Sequence, residues 1–332
     1  MSKYTVGLWL YQNGGGDVIQ RKLIERLRER DIGVISGLNL AKALAHKGSI
    51  VCNGVNMEDL DLFFTYNAGQ QTQYQMYLYE MLDRCIPIIN NYRSFALTED
   101  KFKTTHLLRR HGINTPDYCL CRHNNLDALR ASMVDWGGRA VYKPTDGWGG
   151  TGIVRLDNES ALDMLQPFIN KIDIQHFFVE RFVQNDHTDF RIDVVDGDYV
   201  GCYGRKAPQD DWKTNITSGG SVIAREPNDE VVQLAIKAAK VTGLEIAGVD
   251  LIYDQEREEY VVLEVNGIPA FATPDQEEFG LDFNDRKIDK IVEMIERKVT
   301  VNKLVDVEMN PLSEKIVEEG VDKRVEEAVH AA

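Results

Sequence analysis

Ile246–Gly267 reads IAGVDLIYDQEREEYVVLEVNG, and the fold of the chain turns on it. Two apolar runs, Val249–Tyr253 and Tyr260–Val265, flank the polar stretch DQEREE, which is the layout of a β-hairpin. A turn centred between Glu256 and Glu258 sets Asp250 opposite Glu264. Side chains on one strand face recur every second residue, so Asn266 shares a face with Glu264. That register gathers two carboxylates and an amide oxygen on one surface. Like charges directly opposite each other, at Cβ separations of about 4.5–5.5 Å, repel. A hard cation relieves the repulsion: Mg²⁺ takes oxygen ligands, commonly one or two carboxylates plus substrate phosphates. On this stretch alone, a solvated edge hairpin with ordinary surface acids is the alternative reading.

The chain of 332 residues is too long for one small core, and two or three subdomains are expected. Its 43% hydrophobic and 27% charged residues are those of a soluble globular protein. A net charge of −15 argues against non-specific nucleic-acid binding, which needs a basic footprint, yet leaves room for a local phosphate pocket. No run of about 18 apolar residues is present, and Met1–Tyr11 lacks a signal-peptide layout. A cytoplasmic protein without membrane contact is expected. Cys52, Cys85, Cys119, Cys121 and Cys202 show no zinc-type spacing and read as reduced thiols.

From the N-terminus, Tyr4–Tyr11 reads as a buried strand, Asn13–Gly16 as a glycine turn and Val18–Arg30 as an amphipathic helix, the opening of an α/β domain. The turn is not a dinucleotide fingerprint, because Ile19 holds the third glycine position. A strand over Gly33–Ser36, a helix over Leu40–Lys47 and strands over Leu60–Thr65 and Ile86–Ile89 come next. Ligands in open α/β sheets bind beyond strand C-termini, which makes Asn13–Gly16 and Tyr66–Gln71 candidate pocket loops. Thr98–His111 reads as a helix capped by Thr98, with Lys101 in its first turn.

Ala140–Leu156, AVYKPTDGWGGTGIVRL, is the second informative stretch. A strand delivers Lys143, a loop carries Gly147, Gly149, Gly150 and Gly152, and a second strand leaves. This strand–loop–strand flap differs from a P-loop, and the Walker pattern is absent. Glycines let backbone N–H groups approach phosphate oxygens, and the lysine adds a point charge. An ordinary hairpin with a flexible tip is the alternative. Further on, Phe177–Val183 reads as a strand carrying Glu180. Asp189–Val195 and Tyr199–Arg205 pair around Asp196-Gly197, with Asp189, Arg191 and Asp193 on one face. A helix over Glu230–Thr242, the opening hairpin, a loop over Phe271–Gly280, a helix over Asp285–Val299 and a charged amphipathic stretch over Pro311–His330 complete the chain.

The order Lys101, Lys143, glycine flap, Glu180, Asp189-x-Arg191, Arg205, Asn215, Asp250, Glu264-x-Asn266 resembles the ATP-grasp superfamily, in particular the branch of the ribosomal protein S6 glutamate ligase. The resemblance spans Thr98 to Gly267. Its most specific piece is Arg205–Gly220, RKAPQDDWKTNITSGG, which is similar to that branch's RRA-x(3)-D-[FW]-[RK]-x-N-x(3)-GG segment without gaps. The resemblance implies an α/β ATP-grasp fold: a Rossmann-like α/β domain over 1–93, a central lid with the flap over 94–184, a C-terminal antiparallel-sheet subdomain over 185–300 and a charged helical tail over 301–332.

It also implies roles. Lys101, Lys143 and the flap glycines would contact ATP phosphates, and Glu180 would meet the adenine amino group beside the backbone of Phe182 and Val183. Asp189 would lie near the ribose or the substrate, and Arg191 near the substrate. Arg205 would steady the γ-phosphate, and Asn215 would support it. Asp250, Glu264 and Asn266 would hold Mg²⁺, with Mn²⁺ as an alternative ion. Two positions depart from close relatives: Arg181 replaces a common acidic residue, and Gly267-Ile268-Pro269-Ala270 replaces serine-proline-glycine. The implied activity is ATP-dependent ligation of a carboxylate to an amine through an acyl phosphate, with glutamate or another amino acid added to a peptide, protein or cofactor. Relatives of this kind also form homo-oligomers. A non-catalytic ATP-binding protein is the alternative, against which the intact metal face and cations count.

Overall fold

The computed structural model of the protein describes residues 2–67, 71–123, 125–147, 149–169 and 175–309. The N-terminal strands form a four-stranded parallel sheet in the order Ile32–Ser36, Tyr4–Leu10, Leu62–Tyr66, Ile88–Ile89. Parallel sheets need cover on both faces. The helix Gly16–Glu29 supplies one cover, burying Ile19, Leu23 and Leu27 against Leu8, Leu10 and Phe64. The helix Gln73–Asp83 supplies the other, with Leu78, Tyr79 and Leu82 against Trp9 and Phe63.

Sequence periodicity misled at three places. The helix expected over Leu40–Lys47 is a single 3₁₀ turn, Leu40–Lys42, succeeded by a small antiparallel sheet of Leu44–His46, Ser49–Cys52 and Val55–Asn56. Lys47-Gly48 and Asn53-Gly54 all adopt positive φ, the signature of two-residue hairpin turns, and this turn chemistry overrides a weak helical spacing. The helix expected over Thr98–His111 is two helices, Tyr92–Thr98 and Lys101–Arg110. The Thr98 hydroxyl donates back to the carbonyls of Ser94 and Phe95, at 3.2 and 3.0 Å, so it cannot cap the second helix. Asp100 caps instead, accepting from the Lys103 N–H at 3.0 Å. The expected loop Phe271–Gly280 contains a short helix, Pro274–Glu278, closed by a capping box at Thr273. The last helix runs over Asn284–Met309, and Pro311–His330 lies outside the described residues.

The middle of the chain builds a four-stranded antiparallel sheet in the order Val154–Leu156, Ala140–Lys143, His176–Arg181, Tyr118–Arg122. The third sheet has five antiparallel strands, ordered Ser221–Ile223, Asp198–Lys206, Thr188–Val195, Ile246–Asp254, Glu259–Asn266. Alternation along these strands produces two opposite faces. Phe190, Ile192, Val194, Val249 and Leu251 pack on Val231, Ala235, Ala238 and Ala239 of the helix Asp229–Thr242. Each large apolar side chain so buried contributes roughly 1.5–3 kcal/mol. The other face carries Asp189, Arg191 and Asp193, with Arg205, Asp250, Glu264 and Asn266 on neighbouring strands.

Two polar ties lock the sheets together. The Asn90 amide nitrogen donates to the carbonyls of Ile246 (2.9 Å) and Gly267 (2.7 Å), and its oxygen accepts from the N–H groups of Glu245 and Ile246, both at 2.8 Å. Every hydrogen-bonding position of that amide is used. Arg181, at the end of the middle sheet, is buried and pairs with buried Asp254 and, at 3.0 Å, with Glu256 of the hairpin turn. This pairing explains a basic residue at position 181. Among the described residues, no helix is long and apolar enough to cross a membrane.

Candidate active site

The hairpin register pairs Asp250 with Glu264 as expected, but by a different route. Strand pairing starts at Asp254 with Glu259 and proceeds to Leu251 with Val262; then the register shifts by one residue, leaving Leu263 unpaired. A regular hairpin from that turn would set Leu263 opposite Asp250. The bulge therefore turns Glu264 and Asn266 onto the face of Asp250.

Asp250 is buried and receives three guanidinium contacts. Arg191 donates through Nε and, at 3.0 Å, through Nη2, and Arg205 Nη2 lies 3.0 Å from Oδ2. Burial pushes the Asp250 carboxyl up, but the two arginines outweigh it and hold it below the usual value. Gly248 makes room for this arrangement: a Cβ there would stand 2.9 Å from Arg191 Nη1 and 2.6 Å from the Pro269 Cβ. Glu264 is held by Lys101 at 3.2 Å. The Asn266 amide nitrogen donates to the Gly248 carbonyl at 3.5 Å. Among the described residues no group of three His, Cys, Asp or Glu side chains could hold a metal ion. The donor set suits a hard cation all the same: two carboxylates and an amide oxygen, completed by phosphate oxygens and water, are what Mg²⁺ accepts.

Around this face the other expected residues take definite positions. Asp189 is fully buried, and Arg205 grips it through Nε at 3.0 and 3.1 Å, Nη2 at 2.7 Å and its own backbone N–H at 3.1 Å, while the Thr214 hydroxyl donates as well. Asp189 thus fixes Arg205. Lys143 pairs with buried Glu180 at 2.5 Å, and Thr105 donates to the other Glu180 oxygen at 3.5 Å. Phe182 packs edge-on against Trp212 and lies under the guanidinium groups of Arg139 and Arg155. The flap strands pair antiparallel, and Gly147, Gly149, Gly150 and Gly152 all have positive φ. Its base is tied to Lys101, whose N–H donates to the Thr145 carbonyl at 2.8 Å and whose ammonium reaches the Gly147 carbonyl. Its tip meets the loop after Asn215: Thr217 donates to the Gly149 carbonyl, and a Cβ at Gly150 would stand 2.9 Å from Asn215 Oδ1.

These residues line two adjoining cavities. The first, of about 840 Å³, is lined by Lys101, Lys143, Glu180, Phe182, Val183, Asp189, Arg205, Asn215, Asp250, Ile252, Leu263 and Glu264. It combines apolar walls with paired charges of both signs. The second, of about 1000 Å³, is lined by Phe95, Glu99, Gly149, Arg191, Tyr203, Ile216, Asn266, Ile268 and Ala270. Arg205, Asn215 and Glu264 border both. Neither cavity is lined by Asn13–Gly16 or by the described residues of Tyr66–Gln71. Gly15 packs instead beside Pro274.

Sequence reasoning missed Lys287. It is completely buried beneath the polar face and donates to Asp193 at 2.7 Å and to the carbonyls of Pro269 and Ala270 at 2.8 and 3.3 Å. It thereby anchors the segment just beyond Asn266. A helical lysine 94 residues from its partner carries no local signal. Asn90 was missed for the same reason and Glu99 because nothing in its local pattern marks it, while Thr214 lay unremarked inside the Arg205–Gly220 segment.

The model of the RimK-like ATP-grasp domain matches residues 98–295. The chain belongs to the RimK-like ATP-grasp family. Among curated relatives, this RimK-like protein is 28% identical over 267 residues to the tetrahydromethanopterin:alpha-L-glutamate ligase of Methanocaldococcus jannaschii, covering 79% of this chain and 87% of that one. It is also 28% identical to the alpha-aminoadipate–LysW ligase LysX of Saccharolobus solfataricus, covering 64% and 77%. Among solved structures, the ATP-grasp ligase PsnB, bound to a precursor variant, Mg and ADP, superposes with a TM-score of 0.62 at 18% identity, covering 87% of this chain and 98% of that one. The mixed α/β architecture is thus the ATP-grasp fold. The RimK-like protein is an ATP-grasp ligase, an enzyme that forms amide bonds at the expense of ATP.

Proposed function

We propose that the ligase works at the junction of its two cavities: a carboxylate entering from the second cavity attacks the γ-phosphoryl group of ATP held in the first. The acyl phosphate so formed is then attacked by an amine, and phosphate leaves. The observation that supports this reading is that Arg205, Asn215 and Glu264 border both cavities, so one polar cluster would face the nucleotide and the acid together. Phosphoryl transfer is catalysed chiefly by positioning and charge neutralisation. Arg205, immobilised by Asp189, steadies the transferring phosphoryl oxygens. Lys101 and Lys143 hold the remaining phosphates under the glycine flap, Phe182 and Val183 border the adenine beside Glu180, and Arg191 orients Asp250. Asp250, Glu264 and Asn266 would hold Mg²⁺, or Mn²⁺ in its place, which would supply neutralisation of phosphate charge. Flap closure excludes water, which would otherwise hydrolyse the acyl phosphate.

The units of this reading are an N-terminal domain over 1–93, a lid over 94–184, a metal-bearing subdomain over 185–300 and a tail over 301–332. The substrates are an amino acid or related carboxylate and an amine acceptor, in keeping with the glutamate and alpha-aminoadipate in the relatives' names. A cytoplasmic setting fits five free cysteines.

The test is ADP release with ATP and Mg²⁺ across a panel of carboxylic acids, with hydroxylamine trapping the acyl phosphate as a hydroxamate. Acid-dependent ADP release with a hydroxamate of matching mass supports the reading. ADP release without any trapped acyl group refutes the acyl phosphate.

A further inference from the structure

One carboxylate at the second cavity has no direct side-chain partner among the described residues. Glu180 pairs with Lys143 at 2.5 Å, Asp189 with Arg205 at 2.7 Å, Asp250 with Arg205 at 3.0 Å and Glu264 with Lys101 at 3.2 Å. Glu99, an exposed residue, lines the second cavity; among the described residues its carboxylate makes no hydrogen bond or ion pair, and Lys101 acts on it only through its field. Its placement results from the helix break. Tyr92–Thr98 ends, Glu99 continues in helical conformation, and Asp100 opens the next helix with Lys101 at its first position. The break sets Glu99 beside Lys101 at the cavity mouth, within the fields of both Lys101 and Glu264. The two cations lining this cavity, Arg191 and Arg205, are already committed to Asp250 and Asp189.

An open carboxylate beside the junction has one natural complement. We propose that Glu99 is the subsite for the ammonium group of the amine substrate, which arrives as a cation and is held next to the nascent acyl phosphate. The inference rests on the ligase reading above. The class of acceptor it names is a primary alkylammonium, the α-amino group of an amino acid or the terminal or side-chain amine of a peptide. Phe95, Ile268 and Ala270 supply apolar wall for the carbon chain. A charge-assisted hydrogen bond is stronger than a neutral one, so loss of the carboxylate charge selectively weakens capture of the ammonium, which passes one proton to Glu99 or to water before the neutral nitrogen attacks the acyl carbon and phosphate leaves.

Hydroxylamine, neutral near pH 7.5, separates this role from a general one. The wild-type protein and the Glu99→Gln and Glu99→Asp variants are given ATP, Mg²⁺ and the acid that yields a hydroxamate. Glycine, L-glutamate and L-lysine are then added as competing nucleophiles. At least one should divert acyl phosphate from hydroxylamine into an amide in the wild type. In Glu99→Gln the ratio of amide to hydroxamate should fall by about tenfold or more, with Glu99→Asp retaining part of it. Three results would overturn the assignment: no competition from any of the three amines, equal loss of amide and hydroxamate in Glu99→Gln, or a raised Mg²⁺ requirement, which would make Glu99 a metal ligand. Absence of hydroxamate in the wild type with every acid would instead bring down the ligase reading itself.

Discussion

Lys287→Met tests whether the buried ion pair beneath the site holds the substrate side together. The ammonium is completely buried, 2.7 Å from Asp193 Oδ2. At an effective dielectric of about 20 the gross attraction at that distance is about 6 kcal/mol, set against the cost of taking both charges out of water. Methionine nearly matches the lysine stem in volume, so packing is largely preserved. The carboxylate that loses its countercharge is 1% exposed, and its other oxygen has no hydrogen-bond partner. The carbonyls of Pro269 and Ala270 lose a donor as well. Breaking one side of a buried pair typically costs about 3–5 kcal/mol. At about 2 °C per kcal/mol for a chain of this size, the thermal midpoint should fall by roughly 8 °C. The assay is thermal and urea denaturation monitored by circular dichroism, on Lys287→Met, Asp193→Asn and the double variant. The double variant should recover at least about 2 kcal/mol relative to the summed single effects. A loss below about 1 kcal/mol in Lys287→Met, or simple additivity, would refute the reasoning.

Glu264→Gln and Asp250→Asn should each lower turnover by at least about 100-fold. Glu264, with Lys101 as its partner, should leave the thermal midpoint nearly unchanged, while Asp250→Asn should also destabilise the fold by weakening its hold on two guanidinium groups; full activity in either variant sinks the metal face. Gly150→Ala should slow turnover more than Gly147→Ala. Both glycines have positive φ, but only at Gly150 would a Cβ crowd Asn215, so equal effects in steady-state kinetics would discount the flap contact. On the acid side, the hydrogen bond from Arg257, with Arg109 nearby, holds the Asp117 carboxyl below its usual value. A depressed value means that the stabilisation is present above about pH 4 and is lost as pH falls through the folded-state value. Asp117→Asn should therefore flatten the fall in urea midpoint below about pH 4, and an unchanged acid slope would remove Asp117 from the account.

Much of this architecture was legible because alternation and turn chemistry are local. The hairpin around Asp250 and Glu264, the flap strands and the helix Asp229–Thr242 with its terminal Gly243 arise from periods of two and 3.6 and from well-placed glycines. The bulge at Leu263 was not legible: the register prediction reached the right pair because a misjudged turn centre and an unseen bulge cancelled. Thr98 was misread because two side chains two residues apart compete to cap, and only tertiary packing decides which hydroxyl or carboxylate faces a helix start. The partners of Lys287, Asn90 and Arg181 lie 94, 156 and 73 residues away, so no window of sequence contains both members.

Asn90 has a consequence for any attempt to dissect the enzyme. The family match begins at residue 98, eight positions after it. A fragment cut at that boundary would carry the hairpin but strand the two N–H groups and two carbonyls that the Asn90 amide serves at the hairpin's two ends. Swapping catalytic cores between relatives therefore requires the seam to fall upstream of Ile88, so that the short edge strand travels with the hairpin it braces.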